Sequence, residues 1–220
     1  MLKRMQPNHP RTPQQDRSIA TKGQLFRAAL ELFGEEGYHH TTTKKIAARA
    51  GIAVGSFYAY YRNKMAVFLE VIRYYYGRIS QEALGGLSGQ ILPAEGELQG
   101  GAGGDPHAFL SLLIDRLYEA HDISPQLHRE ITGMRYSDPE VDRLIRGEEE
   151  KTIAHVRELL ESMRPALAVE DPEAAAHLVH RCAEELIHSI KIFGPHIEAE
   201  RLLTELKHML SRYLFGHDRP

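Results

Sequence analysis

The sequence predicts an all-α fold of about nine helices, with a small N-terminal three-helix helix-turn-helix domain ahead of a larger helical domain. Three observations predict it. Apolar residues recur at helical spacing in successive segments, with no alternation of the strand kind. Asp-Pro, Ser-Pro and Gly punctuation falls between those segments. Charge also divides the chain: residues 1–64 hold 11 Lys+Arg against 4 Asp+Glu, whereas residues 65–220 hold 16 against 26. A basic head on an acidic body therefore hides behind a net charge of only −3. Such a head suits phosphate contacts while the body stays clear of nucleic acid.

Residues 1–17 read as a disordered arm, because Pro7, Pro10 and Pro13 oppose a helix and Lys3, Arg4, Arg11 and Arg17 add charge. The arm is either a frayed tail or a strand that touches a minor groove. It has no apolar core of the signal-peptide kind, no apolar run nears the ~18 residues of a membrane span, and Cys182 is the single cysteine. A cytoplasmic, soluble protein with no membrane partner is expected. Residues 18–36 form a scaffold helix through the stripe Ile19, Leu25, Ala28, Ala29, Leu32 and Phe33.

Residues 41–64, TTTKKIAARAGIAVGSFYAYYRNK, read as two short helices joined by a sharp turn. Thr42 is an N-cap, Ile46, Ala47 and Ala50 face inward, and Gly51 supplies the left-handed residue that ends the first helix. The second helix runs over 54–60 with Phe57 and Tyr61 as inward anchors, too short and polar for core packing. This is the helix-turn-helix arrangement, whose second helix enters the major groove, although an ordinary helical hairpin has the same spacing.

Residues 18–68 closely resemble the N-terminal domain of the TetR family of bacterial transcriptional regulators. The likeness rests on ALELFGEEGYHHTT, on KKIAARAGIAVGSFYAYYRNK and on a helix beginning MAVF, including Phe33, Gly37, Tyr38, Gly55 and the aromatic run 58–61. It covers roughly the first third of the chain. It implies that Thr43, Tyr60 and Lys64 bind phosphates, and that Lys44, Val54, Ser56, Tyr58 and Ala59 face the groove of a double-stranded operator. Two positions depart from the family. Ala53 replaces a capping Ser or Thr, and Lys45 replaces the acid of a capping box; Lys45 opposes the helix dipole, so a DNA phosphate is expected to compensate it.

Asn63 caps the next helix, which carries Met65, Phe68, Leu69, Ile72 and Tyr76 toward Ser80. The domain division is thus expected at 64/65, with 65–220 a sensing and dimerisation domain. Residues 85–104 hold a high share of the 18 glycines and read as a flexible loop, either a lid or an insertion. Helices then resume over 105–120, 124–137, 138–163, 171–193 and about 196–215. The first four open with Asp-Pro or Ser-Pro, and Gly194-Pro195 stops the fourth.

The last two helices carry stripes at Leu178, Val179, Cys182, Leu186, Ile190 and Phe193, and at Leu202, Leu203, Leu206, Met209, Leu210 and Tyr213. Two amphipathic helices cannot bury all of this alone, so a homodimer through a four-helix bundle is expected, as the resemblance also implies. Its interface is assigned to Leu178, Cys182, Leu186, Ile190, Leu203, Leu206 and Leu210. The resemblance further implies an effector cavity among Tyr74, Tyr75, Phe109, Leu113, Leu117, Tyr118, His121, Met134, Tyr136 and Phe193. Such a lining suits a small hydrophobic or aromatic ligand, with His121 and Tyr136 as polar handles, and the same residues also read as ordinary core. His177, His180, Glu184 and His188 share one helical face, so a metal-responsive regulator stands as the alternative; that face also reads as a solvated surface opposite the apolar stripe.

No glycine-rich phosphate loop, H-E-x-x-H, C-x-x-C or G-x-S-x-G is present, so catalysis has no visible carrier and no cofactor is expected. An all-α protein-interaction module without DNA binding is the remaining class. The function expected is a repressor that leaves a palindromic operator when its effector binds.

Overall fold

A computed structural model describes residues 13–85 and 105–216. Among them are nine α-helices and no strand: α1 Pro13–His40, α2 Thr43–Arg49, α3 Val54–Phe57, α4 Lys64–Leu84, α5 Pro106–Ala120, α6 Pro125–Ser137, α7 Pro139–Ser162, α8 Pro172–His188 and α9 Ala199–Phe215. Residues 1–12 of the arm expected over 1–17, and residues 86–104 of the glycine-rich loop expected over 85–104, lie outside the described residues.

Four helix starts follow the local chemistry. Asp105, Ser124, Asp138 and Asp171 each accept a hydrogen bond from a backbone N–H of the first turn, and each precedes a proline at the first helical position. That proline has no N–H to leave unpaired there. The same reasoning corrects the first helix. It starts at Pro13, not at residue 18, because a proline that blocks a helix interior is tolerated in the first turn.

Helix α1 also runs past residue 36, to His40, but through a break at Gly37 (φ 78°, ψ 171°), a conformation open only to glycine. Thr41, fully buried, turns its hydroxyl to the carbonyls of Gly37 and Leu32 at 2.8 and 3.2 Å and so ties the chain after the break back to α1.

Packing divides the chain within α4, between Val71 and Ile72. In the first unit, Leu25, Phe33, Ile46, Phe57 and Phe68 are fully buried. Phe33 meets Phe68 edge-on at 4.9 Å, and Tyr38 lies against both rings. Asn63 accepts from the Ala66 N–H at 2.8 Å and so caps α4.

In the second unit, α7 and α8 pack along their length, and the core runs through Ile114, Leu160, Ala175, Ala176, Ile187 and Leu210. Helix α8 ends in a π turn, Ser189–Phe193, which Gly194 (φ 80°) stops. The turn is tied down by Lys191, whose ammonium sits 3.5 Å from the centre of the Tyr118 ring and 2.6 Å from Asp122 Oδ1. No helix among the described residues is long and apolar enough to cross a membrane.

Candidate nucleic-acid interface and candidate effector cavity

Thr42 caps α2 by accepting from the Lys45 N–H at 3.2 Å, and Gly51 takes φ 68° after it. Ala53 opens α3 without a side-chain hydrogen bond. The second motif helix is shorter than its sequence suggests. It is α-helical only over Val54–Phe57; Ala59 and Tyr60 bond back three residues, to Ser56 and Phe57, in tight turns. With Phe57 its only buried residue, nothing inward holds a longer α-helix.

What this segment lacks in packing it presents outward. Lys44, Val54, Ser56, Tyr58 and Ala59 are exposed, while Thr43 and Tyr60 are half-buried. The Thr43 and Tyr58 hydroxyls lie 3.2 Å apart, so the start of α2 and the end of α3 share one polar edge.

Two expected phosphate ligands have partners inside the chain. Lys45 Nζ pairs with Glu36 at 2.5 Å and donates to the His40 carbonyl at 3.1 Å, so a carboxylate of the chain itself stands beside its place in the first turn. Lys64 Nζ donates to the carbonyls of Tyr38 and Thr41 at 2.5 and 2.9 Å and lies 4.0 Å from the centre of the Tyr38 ring. It closes the corner where α1 ends. Burial holds its pKa below the ordinary lysine value. Arg49 likewise braces α2 on Glu31 and Glu35 of α1.

The second unit encloses a narrow cavity of about 50 Å³, taken as room for the centre of a water-sized sphere. That is several times the ~10–15 Å³ one water needs. Its walls are apolar: Ile79 and Ala83 of α4, Leu110, Leu113, Ile114 and Leu117 of α5, Val156 of α7, Val179 and Ala183 of α8. Its other lining groups are His121, His128, His180, Glu184 and His188, together with Tyr76, Ser80, Thr152 and Glu149.

Of the expected effector residues, Leu113, Leu117 and His121 line this cavity. The rest do not. Tyr136 and Phe193 are 85% and 77% exposed, Tyr74 is also exposed, Tyr75 and Met134 are buried elsewhere, Phe109 packs on Leu159, Leu160 and Phe215, and Tyr118 lies under Lys191. Aromatic content is a poor guide because the exposed rings sit on outward helix faces.

The histidine face of α8 is not a solvated surface. His180, Glu184 and His188 turn inward to the cavity, while His177 is exposed. Sequence reasoning missed His128 and Tyr76; no periodic signal marks the single histidine that α6 sends to the same place.

Glu184 Oε2 lies 3.2 Å from His121 Nε2 and 3.0 Å from His188 Nε2. Burial works to raise the Glu184 pKa, yet the imidazoles of His121 and His188 hold it well below the usual carboxylate range. Burial likewise opposes a charged His121, and Glu184 outweighs it, so that pKa is raised. His128 is pushed down to about 3 by burial and by its neighbours His188 and His121. Glu149 is gripped by two guanidiniums, Arg135 at 2.6 and 3.0 Å and Arg181 at 2.9 and 3.2 Å.

The outer faces of α8 and α9 carry exposed Leu178, Met209 and Tyr213 beside half-buried Cys182, Leu186 and Leu202. Of the residues expected at a dimer interface, Ile190, Leu203, Leu206 and Leu210 are instead buried in the chain's own core. The apolar stripe of α9 is wide enough to serve both directions.

Residues 25–71 match the family profile described as bacterial regulatory proteins, tetR family, and residues 105–214 match that of the tetracyclin repressor-like C-terminal domain. A fatty acid metabolism regulator protein of Bacillus subtilis is 38% identical over 50 residues, which cover 23% of this chain and 26% of that protein. The HTH-type transcriptional regulator YuxN of the same organism is 37% identical over 54 residues, 24% of this chain and 19% of its own. The matched segments thus span about a quarter or less of these two relatives.

Among solved structures, a TetR-family regulator of Mesorhizobium loti superposes with a TM-score of 0.71 at 18% identity, over 90% of this chain and 96% of that one. The fatty acid degradation regulator FadR of Bacillus halodurans gives 0.64 at 20% identity, over 86% and 94%. The profile matches cover the motif helices around Gly51 and the cavity helices α5, α7 and α8, and on them the chain belongs to the TetR family of bacterial regulatory proteins.

Proposed function

We propose that the protein is a cytoplasmic homodimeric repressor that binds a near-palindromic operator and leaves it when a small, largely apolar molecule occupies the cavity. The observation that carries the DNA-binding part is the short, outward-facing α3 with its exposed Val54, Ser56, Tyr58 and Ala59 on a basic head. A helix with one buried anchor is built to fill a groove, and Val54 and Ala59 suit thymine methyl groups. Lys44 and the Thr43 and Tyr58 hydroxyls take the backbone or base-edge contacts. Lys64 is reassigned to holding the α1 corner.

The exposed apolar face of α8 and α9 supports a second copy as partner, since a two-fold protein aligns two recognition helices with successive major grooves. The cavity supports an amphiphilic effector, apolar along its length with one polar end. Two similar proteins are named for fatty acid regulation, which makes acyl chains the first class to try. Repression is relieved by the ligand's differential affinity for the two states of the dimer.

Selection of binding sites from random duplexes, followed by titration at several salt concentrations, tests the reading. Lys44→Ala is expected to lower the magnitude of the salt slope by about 1. A protein that enriches no sequence and binds random duplex without salt dependence is not a regulator of this kind.

A further inference from the structure

We propose that His121, His128 and His188, with Glu184, form a binding site for a divalent transition-metal ion of the zinc class in the cavity of the second unit. The site uses side chains from three separate stretches of chain: His121 just after α5, His128 on α6, and Glu184 and His188 one turn apart on α8. One imidazole nitrogen from each histidine lies within 4.8 Å of the others. Tetrahedral zinc, with bonds of about 2.0–2.1 Å, sets its donors roughly 3.4 Å apart, so the widest pair closes by roughly 1.4 Å at most. A rotation of His188, the least buried of the three, supplies such a movement.

Three features favour a metal over a plain hydrogen-bond network. First, His121 Nδ1 lies 2.7 Å from the Leu117 carbonyl, which only accepts, so Nδ1 carries a proton, and Nε2, 3.2 Å from Glu184 Oε2, is the nitrogen left for a metal once its own proton is displaced. An outer partner of this sort is what fixes the tautomer of a metal-bound histidine. Second, His128 Nδ1 is buried without a hydrogen-bond partner, which an all-protein network would be expected to supply. Third, the Glu184 carboxylate lies 3.2 and 3.0 Å from the His121 and His188 imidazoles and brings an anionic oxygen donor to the cluster.

Three imidazoles and one carboxylate suit zinc or nickel and do not suit magnesium or calcium. The set differs from the one the sequence offered, because exposed His177 takes no part and His128 comes from another helix. The proposal does not depend on DNA binding.

Titration calorimetry of the chelator-treated full chain with ZnCl2 tests it. One ion per chain is expected, with a Kd of about 1 μM or tighter. His128→Gln and His188→Gln are each expected to weaken binding by about 100-fold. His177→Gln leaves it unchanged. Absent heat, or binding that survives His128→Gln, overturns the proposal. If the two variants fail to fold, CoCl2 absorption of the unaltered chain decides: intense tetrahedral bands support the site, and a weak octahedral spectrum refutes it. Operator binding in EDTA is scored separately, so that loss of the metal site leaves the regulator reading standing.

Discussion

Replacing Glu149 by Gln isolates one buried charge cluster of the second unit. Glu149 is 7% exposed, and its two oxygens receive four contacts between 2.6 and 3.2 Å from Arg135 of α6 and Arg181 of α8, so one carboxylate on α7 ties three helices. Gln keeps one accepting oxygen and turns an NH2 toward guanidinium donors. Removing one partner of a buried pair costs about 3–5 kcal/mol. The side chain of Arg181 is 55% exposed and regains water, which brings the expected loss to about 2–3 kcal/mol. At about 2–4 °C per kcal/mol for a chain of this size, the melting temperature at pH 7 falls by about 4–12 °C.

The pH dependence gives an independent check. Burial works to raise the Glu149 pKa, but the two arginines outweigh it and hold the group below its ordinary 4.5. Its stabilisation is therefore complete above that value and lost as pH falls through the lower folded-state pKa. The gap between the parent and Glu149→Gln, followed by thermal melts at equal protein concentration, should shrink below about pH 4. A variant melting within about 1 °C of the parent at pH 7, or a gap that widens in acid, refutes the reasoning.

Lys64→Met removes the donor to the Tyr38 and Thr41 carbonyls and should destabilise the first unit by about 1–3 kcal/mol. The salt slope of operator binding should stay unchanged, whereas a phosphate ligand would lower its magnitude by about 1. Met209→Glu places a charge on the exposed apolar face of α8 and α9 and should shift sedimentation from dimer to monomer at micromolar concentration; a monomeric parent would remove the dimer assignment.

Helix starts were legible in the sequence because their chemistry is local. Asp105, Ser124, Asp138 and Asp171 act through residues no more than three positions away, so the dipeptide is enough. Gly51 and Thr42 were legible for the same reason. The partners of Lys45 and Lys64 were not, since both depend on where the broken end of α1 returns, nine and more than twenty residues away. Gly37 carries the only local hint of that break, and a glycine before Tyr38 also suits a helix that simply ends there.

Helix α8 explains why the cavity was harder to read than the fold. Its sequence holds two useful faces: Ala176, Val179, Ala183 and Ile187 with His180 on one, Leu178, Cys182 and Leu186 on the other. Periodicity reports that the helix is amphipathic but weights the long side chains, so the Leu178 stripe looks like the inward face and the histidines look solvated. The burial is the reverse, because small residues let α7 approach closely along Ala175, Ala176 and Ala183, and that approach is what encloses Glu149 and Glu184. A polar residue between alanines on a helix flanked by long neighbours is thus a better pointer to a lined cavity here than any aromatic. The leucines left outside are the part of α8 that the proposed second copy would cover.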